Sequence, residues 1–322
     1  MGVDARGTSR IVAVVVAWNR RDLLAQTLHG LAAQTRPLDA VVVIDNASTD
    51  DSADLARAHP VVTEVVTLPT NTGGAGGFAA GIARAVASHD ADLVWVMDDD
   101  TVPTPTALAE LVSARVRHPG RVTVAASRAD WTDGREHPMN RPRPRPGSSR
   151  VARGAARMAG AAYPIRSASF VSILIDAEAI RRHGLPQADY FLWNDDFEYT
   201  ARLLRDGVGL YVPASRVYHL TKVFGSSDAD PGPRFTNEVS NKLWVFTRSD
   251  ALGPVDRALY AGSTAVRWAR MLARSGDRRA LAGYGRRGLA EGAHRPRSTV
   301  EVLAGTPVAD DVARVERGAG RA

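Results

Sequence analysis

The sequence predicts an open α/β fold: a mostly parallel sheet with helices on both faces, followed by a C-terminal helical region. Three observations carry this. Apolar, β-rich runs alternate with segments of helical spacing from residue 11 to residue 117. Those runs show no apolar/polar alternation, the pattern of strands buried on both faces of a parallel sheet. Strands that alternate with helices join through right-handed crossovers into such a sheet.

The elements follow in order. Ile11 to Ala17 is a first buried strand, and Arg21 to Gln34 a helix with apolar residues at 23, 24, 28 and 31. Val41 to Ile44 is a second strand, Ser52 to Ala58 a short helix and Val61 to Leu68 a third strand. Gly74 to Ser88 is a small-residue helix, Leu93 to Met97 a fourth strand, Thr104 to Arg117 a helix and Arg121 to Ala126 a fifth strand. Regularity then stops. Between Asp130 and Ser149, Pro138, Pro142, Pro144 and Pro146 alternate with Arg135, Arg141, Arg143 and Arg145. Such a run holds neither a helix nor a central strand, so it reads as a long mobile loop. Its place between the two halves of the α/β region suits a lid. Ser169 to Ile175 returns as a strand, followed by helices at Ala177 to His183 and Asp195 to Asp206. Leu210 to Val212 and Arg216 to His219 read as short strands. From Phe235 to about residue 290 the pattern is helical. The expected organisation is one α/β domain over 1–234, with a basic Arg/Pro-rich segment at 128–166. A helical region over 235–295 and a poorly ordered tail over 296–322 complete it.

Composition excludes several classes of function. The chain has 322 residues, 44% hydrophobic and 24% charged, and no cysteine. That is a globular composition. It leaves no room for a disulfide scaffold, a thiolate metal site or a cysteine nucleophile. The longest apolar run, Ile11 to Trp18, is eight residues, against about 20 for a spanning helix. No leader is read at the N-terminus, so the expected location is cytoplasmic, peripheral on the inner face of the cell membrane. The formal charge is +6, and it is unevenly placed. Residues 1–125 hold 10 Arg against 14 acids, residues 128–166 nine Arg against three, and residues 267–297 nine Arg against two. Basic segments beside an acidic half suggest an anionic partner, such as lipid headgroups or a diphosphate-bearing acceptor. A nucleic-acid partner is not expected; a homo-oligomer is compatible with the sequence.

Ligands of open parallel sheets sit beyond the carboxyl ends of the strands, so the residues after each strand matter most. They are Trp18, Asn19 and Arg20; then Asp45 to Asp50; then Asn71 to Phe78; then Asp98, Asp99 and Asp100. Three adjacent carboxylates repel one another unless something neutralises them. A divalent cation bound through oxygen, Mg²⁺ or Mn²⁺, is the fitting partner. Alternation along a strand places Asp98 and Asp100 on one side. Gly74, Gly76 and Gly77 either pack a helix closely on the sheet or let the backbone approach a nucleotide-sugar. The match of this run to a dinucleotide fingerprint is weak, because it does not follow the first strand.

Several of these segments resemble family 2 glycosyltransferases of the GT-A fold. They are Ala17-Trp-Asn-Arg20, Val43-Ile-Asp45-Asn46-Ala-Ser-Thr-Asp50, Asn71-Thr-Gly-Gly-Ala-Gly-Gly-Phe78, Trp95-Val-Met-Asp-Asp-Asp100 and Trp193-Asn-Asp195-Asp196-Phe-Glu198 followed by Tyr218-His219. Within that family the Gly-Gly-Ala-Gly-Gly-Phe and Trp-x-Asp-Asp segments are most similar to bacterial galactofuranosyltransferases and rhamnosyltransferases. The resemblance covers about residues 10–220. It implies a Rossmann-like GT-A domain and a UDP- or dTDP-linked sugar donor. It also implies a glycan or polyprenyl-diphosphate-linked acceptor and a Mn²⁺ or Mg²⁺ cofactor. Trp18, Asn19, Arg20, Asp45, Asn71, Gly74, Gly76, Gly77, Asp98 and Asp99 then fall in the donor site, with Asp45 toward the pyrimidine base. Asp98, Asp100 and His219 fall at the metal. Asp196 is placed as the general base, Asp195 as its acceptor-side neighbour, and Trp193 with Asp195 at the acceptor.

The chemistry of these residue types agrees. A sugar hydroxyl needs a carboxylate to take its proton, and a departing diphosphate needs its charge balanced. A base on one face and a leaving group on the other give inversion in a single displacement. Three other readings compete: a sugar-phosphate nucleotidyltransferase, an NAD-linked oxidoreductase and a non-catalytic carbohydrate- or nucleotide-binding module. The first lacks a glycine-rich loop after strand one. The second has its glycine motif misplaced. The third leaves the full set of acidic positions unexplained. The basic helices after residue 256, with Arg267, Arg270 and Arg274 expected on one face, suit a membrane surface.

Overall fold

The computed structural model describes residues 9–145, 147–221, 224 and 231–319. Residues 1–8, where a leader was sought, and the last three residues of the tail lie outside them. The N-terminal half alternates strand and helix: β1 (Ile11–Ala17), α1 (Arg21–Ala32), β2 (Ala40–Asp45), α2 (Ser52–Ala58), β3 (Glu64–Thr67), α3 (Gly73–Ala87) and β4 (Leu93–Asp98). Then come β5 (Thr101–Pro103), α4 (Ala107–Arg117), β6 (Val122–Asp130), β7 (Arg143–Pro144), α5 (Arg150–Met158), β8 (Tyr163–Ser167), β9 (Ile173–Asp176), α6 (Ala177–His183), α7 (Asp195–Leu203) and β10 (Val208–His219). Helices α8 (Phe235–Thr247), α9 (Pro254–Arg274), α10 (Arg278–Ala293), α11 (Thr299–Val302) and α12 (Ala309–Ala319) follow.

The strands form one sheet in the order β3-β2-β1-β4-β9-β6-β10-β8-β7, with β5 alongside β10. Strands β3, β2, β1 and β4 run parallel, as do β6 and β10. β9 lies antiparallel between β4 and β6. Side-chain alternation along β1 shows how the sheet is covered. Ile11, Ala13 and Val15 pack with Leu24, Leu28 and Leu108 of α1 and α4. Val12, Val14 and Val16 face Phe78, Ile82 and Val86 of α3. A strand with no polar residue is required when helices cover both its sides.

Five expectations are corrected. The Arg/Pro segment is not one long loop: Pro144 sits in β7, which pairs with β8 at the sheet edge, where a missing N–H costs no ladder bond. The third strand starts at Glu64, not Val61, and the strand expected from Ser169 starts at Ile173. The two strands expected near 210 and 216 are one strand, continuous through a register shift beside β6. Over residues 297–319 the tail is ordered. Ser298 closes a capping box with Glu301, and Leu303, Val308, Val312 and Val315 enter the core beside α3. Arg84 of α3 pairs with Asp311 at 2.9 Å. These anchors are too short and too sparse for hydrophobic periodicity to flag them.

Gly81 illustrates why α3 is rich in small residues: a Cβ there would stand 2.2 Å from Val14 Cγ1 of β1. Alanine normally favours a helix over glycine by about 1 kcal/mol. Here Gly81→Ala is expected to destabilise by roughly 1–3 kcal/mol through overpacking. Gly283→Ala in α10, with nothing within 4 Å of the new Cβ, is expected to stabilise. Opposite shifts in chemical denaturation midpoint check this pair.

Candidate active site

The ends of β1, β2 and β4 reach one edge, because Ala17 is paired with Asp45 and Val16 with Asp98. The loops beyond them are tied together by side chains. Buried Asn46 donates through Nδ2 to the Gly73 carbonyl at 2.8 Å and accepts from the Thr72 amide at 2.9 Å, fastening β2 to the start of α3. Asn19, at φ +52°, accepts from the Thr49 amide at 2.7 Å. Asp45 accepts from the Ser48 amide at 3.1 Å, and Asn71 from the Gly73 amide at 2.8 Å. Trp18 is half exposed at the same edge. The glycines divide. Gly76 and Gly77 are packed against Thr72 and Val16, where a Cβ would come within 2.4 and 2.6 Å, whereas Gly74 has room and lines a cleft.

The carboxylates after β4 are held from several directions. Arg20, from the turn after β1, meets Asp99 Oδ1 at 3.1 Å and Asp100 Oδ2 at 2.6 Å. Asp99 also accepts from the Trp18 amide at 3.0 Å; burial still pushes it up to about 6. Asp98 is held well above the ordinary carboxylate range by burial, with Asp100 and Asp99 adding repulsion. Across the cleft, β10 delivers His219, whose Nε2 lies 3.2 Å from Asp100 Oδ1. His219 Nδ1 faces Asn140 Oδ1 at 2.9 Å, and Asn140 Nδ2 faces Ser169 Oγ at 3.3 Å. His219 thus presents Nε2 toward Asp100 Oδ1 while Nδ1 is held by Asn140. Asp100 Oδ1 is buried and has no hydrogen bond. An imidazole nitrogen and a carboxylate oxygen at that separation share a proton or serve as two ligands of one cation. Ligand atoms of Asp98, Asp100 and His219 lie within 4.8 Å of one another, a set of oxygen and nitrogen donors that fits Mn²⁺ or Mg²⁺.

Asp195 and Asp196 open α7. The four residues before it include Phe191, Trp193 and Asn194, all at positive φ, a conformation costly for residues with side chains. Buried Asn241 of α8 holds this loop: its Nδ2 lies 2.9, 2.9 and 2.8 Å from the carbonyls of Tyr190, Leu192 and Trp193. Asn194 Nδ2 donates to Glu238 at 2.9 Å. Asp195 is pushed up to about 8 by burial and then by Asp196. Burial also raises Asp196, against its bond from the Phe197 amide and the charges of Arg143 and Lys242. Glu198, expected in the same acidic cluster, instead binds Arg202 at 2.8 Å and Ser249 at 2.7 Å.

A cleft of about 760 Å³ brings Gly74, Asp98, His219, Trp193, Asp195 and Asp196 together. Trp18, Asn19, Arg20, Asp45, Asn71, Gly76, Gly77, Asp99 and Asp100 do not line it. Asp99 and Asp100 form the turn after β4, Gly76 and Gly77 are packed within α3, and the others lie at or just beyond the ends of β1, β2 and β3. Sequence reasoning missed Asn140, Arg143, Asn241 and Lys242. The first two sit in the Arg/Pro segment and the others within a helical pattern, with no motif to mark them.

This arrangement is that of a GT-A glycosyltransferase. Solved structures of this fold that align include S. aureus TarS 1–349 (TM-score 0.61, 14% identity, 96% of this chain and 90% of that one). GalNAc-T7 with UDP, GalNAc and Mn²⁺ aligns at TM-score 0.58 and 15% identity, over 95% of this chain and 58% of that one. Residues 12–175 match the family described as Glycosyl transferase family 2, and the chain belongs to it. Galactofuranosyltransferase GlfT1 of Mycolicibacterium smegmatis is 31% identical over 204 residues, 62% of this chain and 67% of that protein. The Mycobacterium tuberculosis (H37Rv) protein of the same name is 32% identical over 208 residues, covering 62% and 66%.

Asp195 gives a pH-dependent signature. Its folded-state value, about 8, lies above the ordinary 3.8, so the folded chain keeps a proton that the unfolded chain has lost. Stability therefore falls as pH rises from about 4 through about 8. Asp195→Asn is expected to melt with the wild type at pH 4 and several degrees higher at pH 8 to 9. Thermal unfolding at the two pH values decides it.

Proposed function

We propose that this chain transfers a sugar from a nucleoside-diphosphate donor to a hydroxyl of a glycan or glycolipid acceptor, with inversion at the anomeric carbon. The observation that carries the reading is the placement of Asp98 and His219 in the same cleft as Asp196. UDP-galactofuranose is the donor the similar proteins favour, since GlfT1 is named a galactofuranosyltransferase. A TarS structure is a complex with UDP-GlcNAc. dTDP-L-rhamnose is the competing donor. A polyprenyl-diphosphate-linked acceptor in cell-wall or polysaccharide assembly is the corresponding acceptor class.

Asp98, Asp100 and His219 would hold a divalent cation, which offsets the charge of the departing diphosphate. Arg20 keeps Asp99 and Asp100 in place, and Asn140 holds the His219 ring through Nδ1. Asp196 accepts the acceptor hydroxyl proton as the new C1–O bond forms. Its burial strengthens it as a base once ionised, and Arg143 and Lys242 favour ionisation. The strained loop held by Asn241 sets the position of Asp196 relative to Asp98.

Two measurements test this. UDP is expected to raise the melting temperature in the presence of Mn²⁺ and much less in EDTA; a shift unaffected by EDTA contradicts the metal role. Asp196→Asn is expected to keep that shift and lose about 10²–10⁴-fold in turnover. Unchanged turnover removes Asp196 from the role of base.

We also propose peripheral membrane contact through α9. No helix of the described residues is long and apolar enough to cross a membrane. On α9, however, Val255, Leu259 and Val266 are exposed at 74%, 66% and 51%, a stripe at helical spacing. Arg270 and Arg274 are exposed beyond it; Arg267, expected on their face, instead pairs with Glu238. An apolar stripe flanked by arginine suits anionic lipid. Leu259→Glu is expected to abolish sedimentation with phosphatidylglycerol vesicles at low salt, and equal sedimentation of variant and wild type rejects the contact.

A further inference from the structure

The cleft is lined by five cations: Arg141, Arg143, Arg234, Lys242 and Arg267. Two are matched by carboxylates, Arg141 by Glu136 and Arg267 by Glu238. The other three have no ion-pair partner among the described residues. Arg143 and Arg234 stand exposed at the rim. Lys242 is deeper, only 4% exposed. Its ammonium lies 4.6 Å from the centre of the Phe197 ring, and the Arg143 guanidinium 4.9 Å from the same centre. Phe197 follows Asp196 directly, so these cations surround the acceptor side of the cleft.

A buried ammonium without a counter-ion is costly. Burial pulls Lys242 down to about 8; Arg143 and Arg267 push the same way, while Glu238 and Asp196 oppose them. An apolar residue of similar length would fill this place at lower cost. The same cleft is lined by Asp98, whose carboxylate is crowded by Asp99 and Asp100. Its lining therefore carries cations without ion-pair partners as well as the carboxylates that the transferase reading assigns to the metal and the base.

We propose that Lys242, with Arg143 and Arg234, forms a binding subsite for a phosphate-bearing group of the acceptor, made of residues other than Asp98, Asp100 and His219. This rests on the transferase reading for its assignment to the acceptor. The binding itself does not need turnover. The competing explanation is that the two cations near Asp196 only keep it ionised. The competing source of the anion is the donor's own diphosphate.

The test is calorimetric titration of the full chain with phenyl phosphate at low salt in EDTA. Saturable binding is expected, weakened about 10–100-fold by Lys242→Met, the loss of one charge-assisted contact. Lys242→Arg is expected to retain most of it. Arg143→Met and Arg234→Met are expected to weaken it less, as rim residues. Equal affinity in wild type and Lys242→Met overturns the subsite and leaves the tuning of Asp196 as the role. A repeat with saturating UDP and Mn²⁺ separates the sources. Undiminished phenyl phosphate binding places the subsite on the acceptor side; full competition assigns the anion to the donor and overturns the proposal. Failure of UDP to bind at all defeats the transferase reading while leaving the phosphate result intact. If Lys242→Met does not fold, Arg143→Met and Lys242→Arg carry the comparison.

Discussion

Crowding of negative charge at the end of β4 is the constraint around which this molecule is arranged. Asp98, Asp99 and Asp100 are largely removed from water, where like charges cannot remain together unaided. The fold answers from two directions. Arg20 arrives from the turn after β1 and His219 from the end of β10, both within ion-pair distance of Asp100. Each contributor comes from a distant part of the chain, so the site exists only when β1, β4 and β10 are in register in one sheet. Residues far from the chemistry serve that register. Asn46 links β2 to α3, and glycines in α3 let that helix lie close on β1.

A second constraint acts on the opposite wall. Asp195 and Asp196 must enter the cleft from the first turn of α7, which requires the preceding backbone to adopt conformations that side-chain-bearing residues resist. One buried amide, that of Asn241, gathers three carbonyls of that segment. The α8 helix thus supports the wall that carries Asp195 and Asp196 while its next residue, Lys242, faces the cleft. This couples the C-terminal helices to the chemistry of the N-terminal sheet.

Much of this was legible in the amino-acid order. Uninterrupted apolar runs marked β1, β2 and β4 because a strand covered on both sides has no polar position to disguise it. Ser52–Ala58 and Ala177–His183 were delimited to the residue. The acidic and glycine-rich strand ends were legible because α/β sheets place ligands there. Other features depend on tertiary context. β7 is two residues long and contains a proline, so nothing local signals that it pairs with β8. The ordered tail relies on Asp311 reaching Arg84, more than two hundred residues away. Asn140, Asn241 and Lys242 carry no motif, and their roles emerge only from what they face. Arg267 shows the converse: helical spacing grouped it with Arg270 and Arg274, but Glu238 draws it into the cleft.

The two-residue β7 has one more implication. It forms the outermost rung of the sheet, and its second residue lacks the N–H that a new strand would need. Arg143 and Arg145 add charge beside it. That border is thereby blunted against edge-to-edge pairing between copies, the usual beginning of β-rich aggregation. The same arginine–proline repeat that borders the cleft thus also guards this one edge of the sheet.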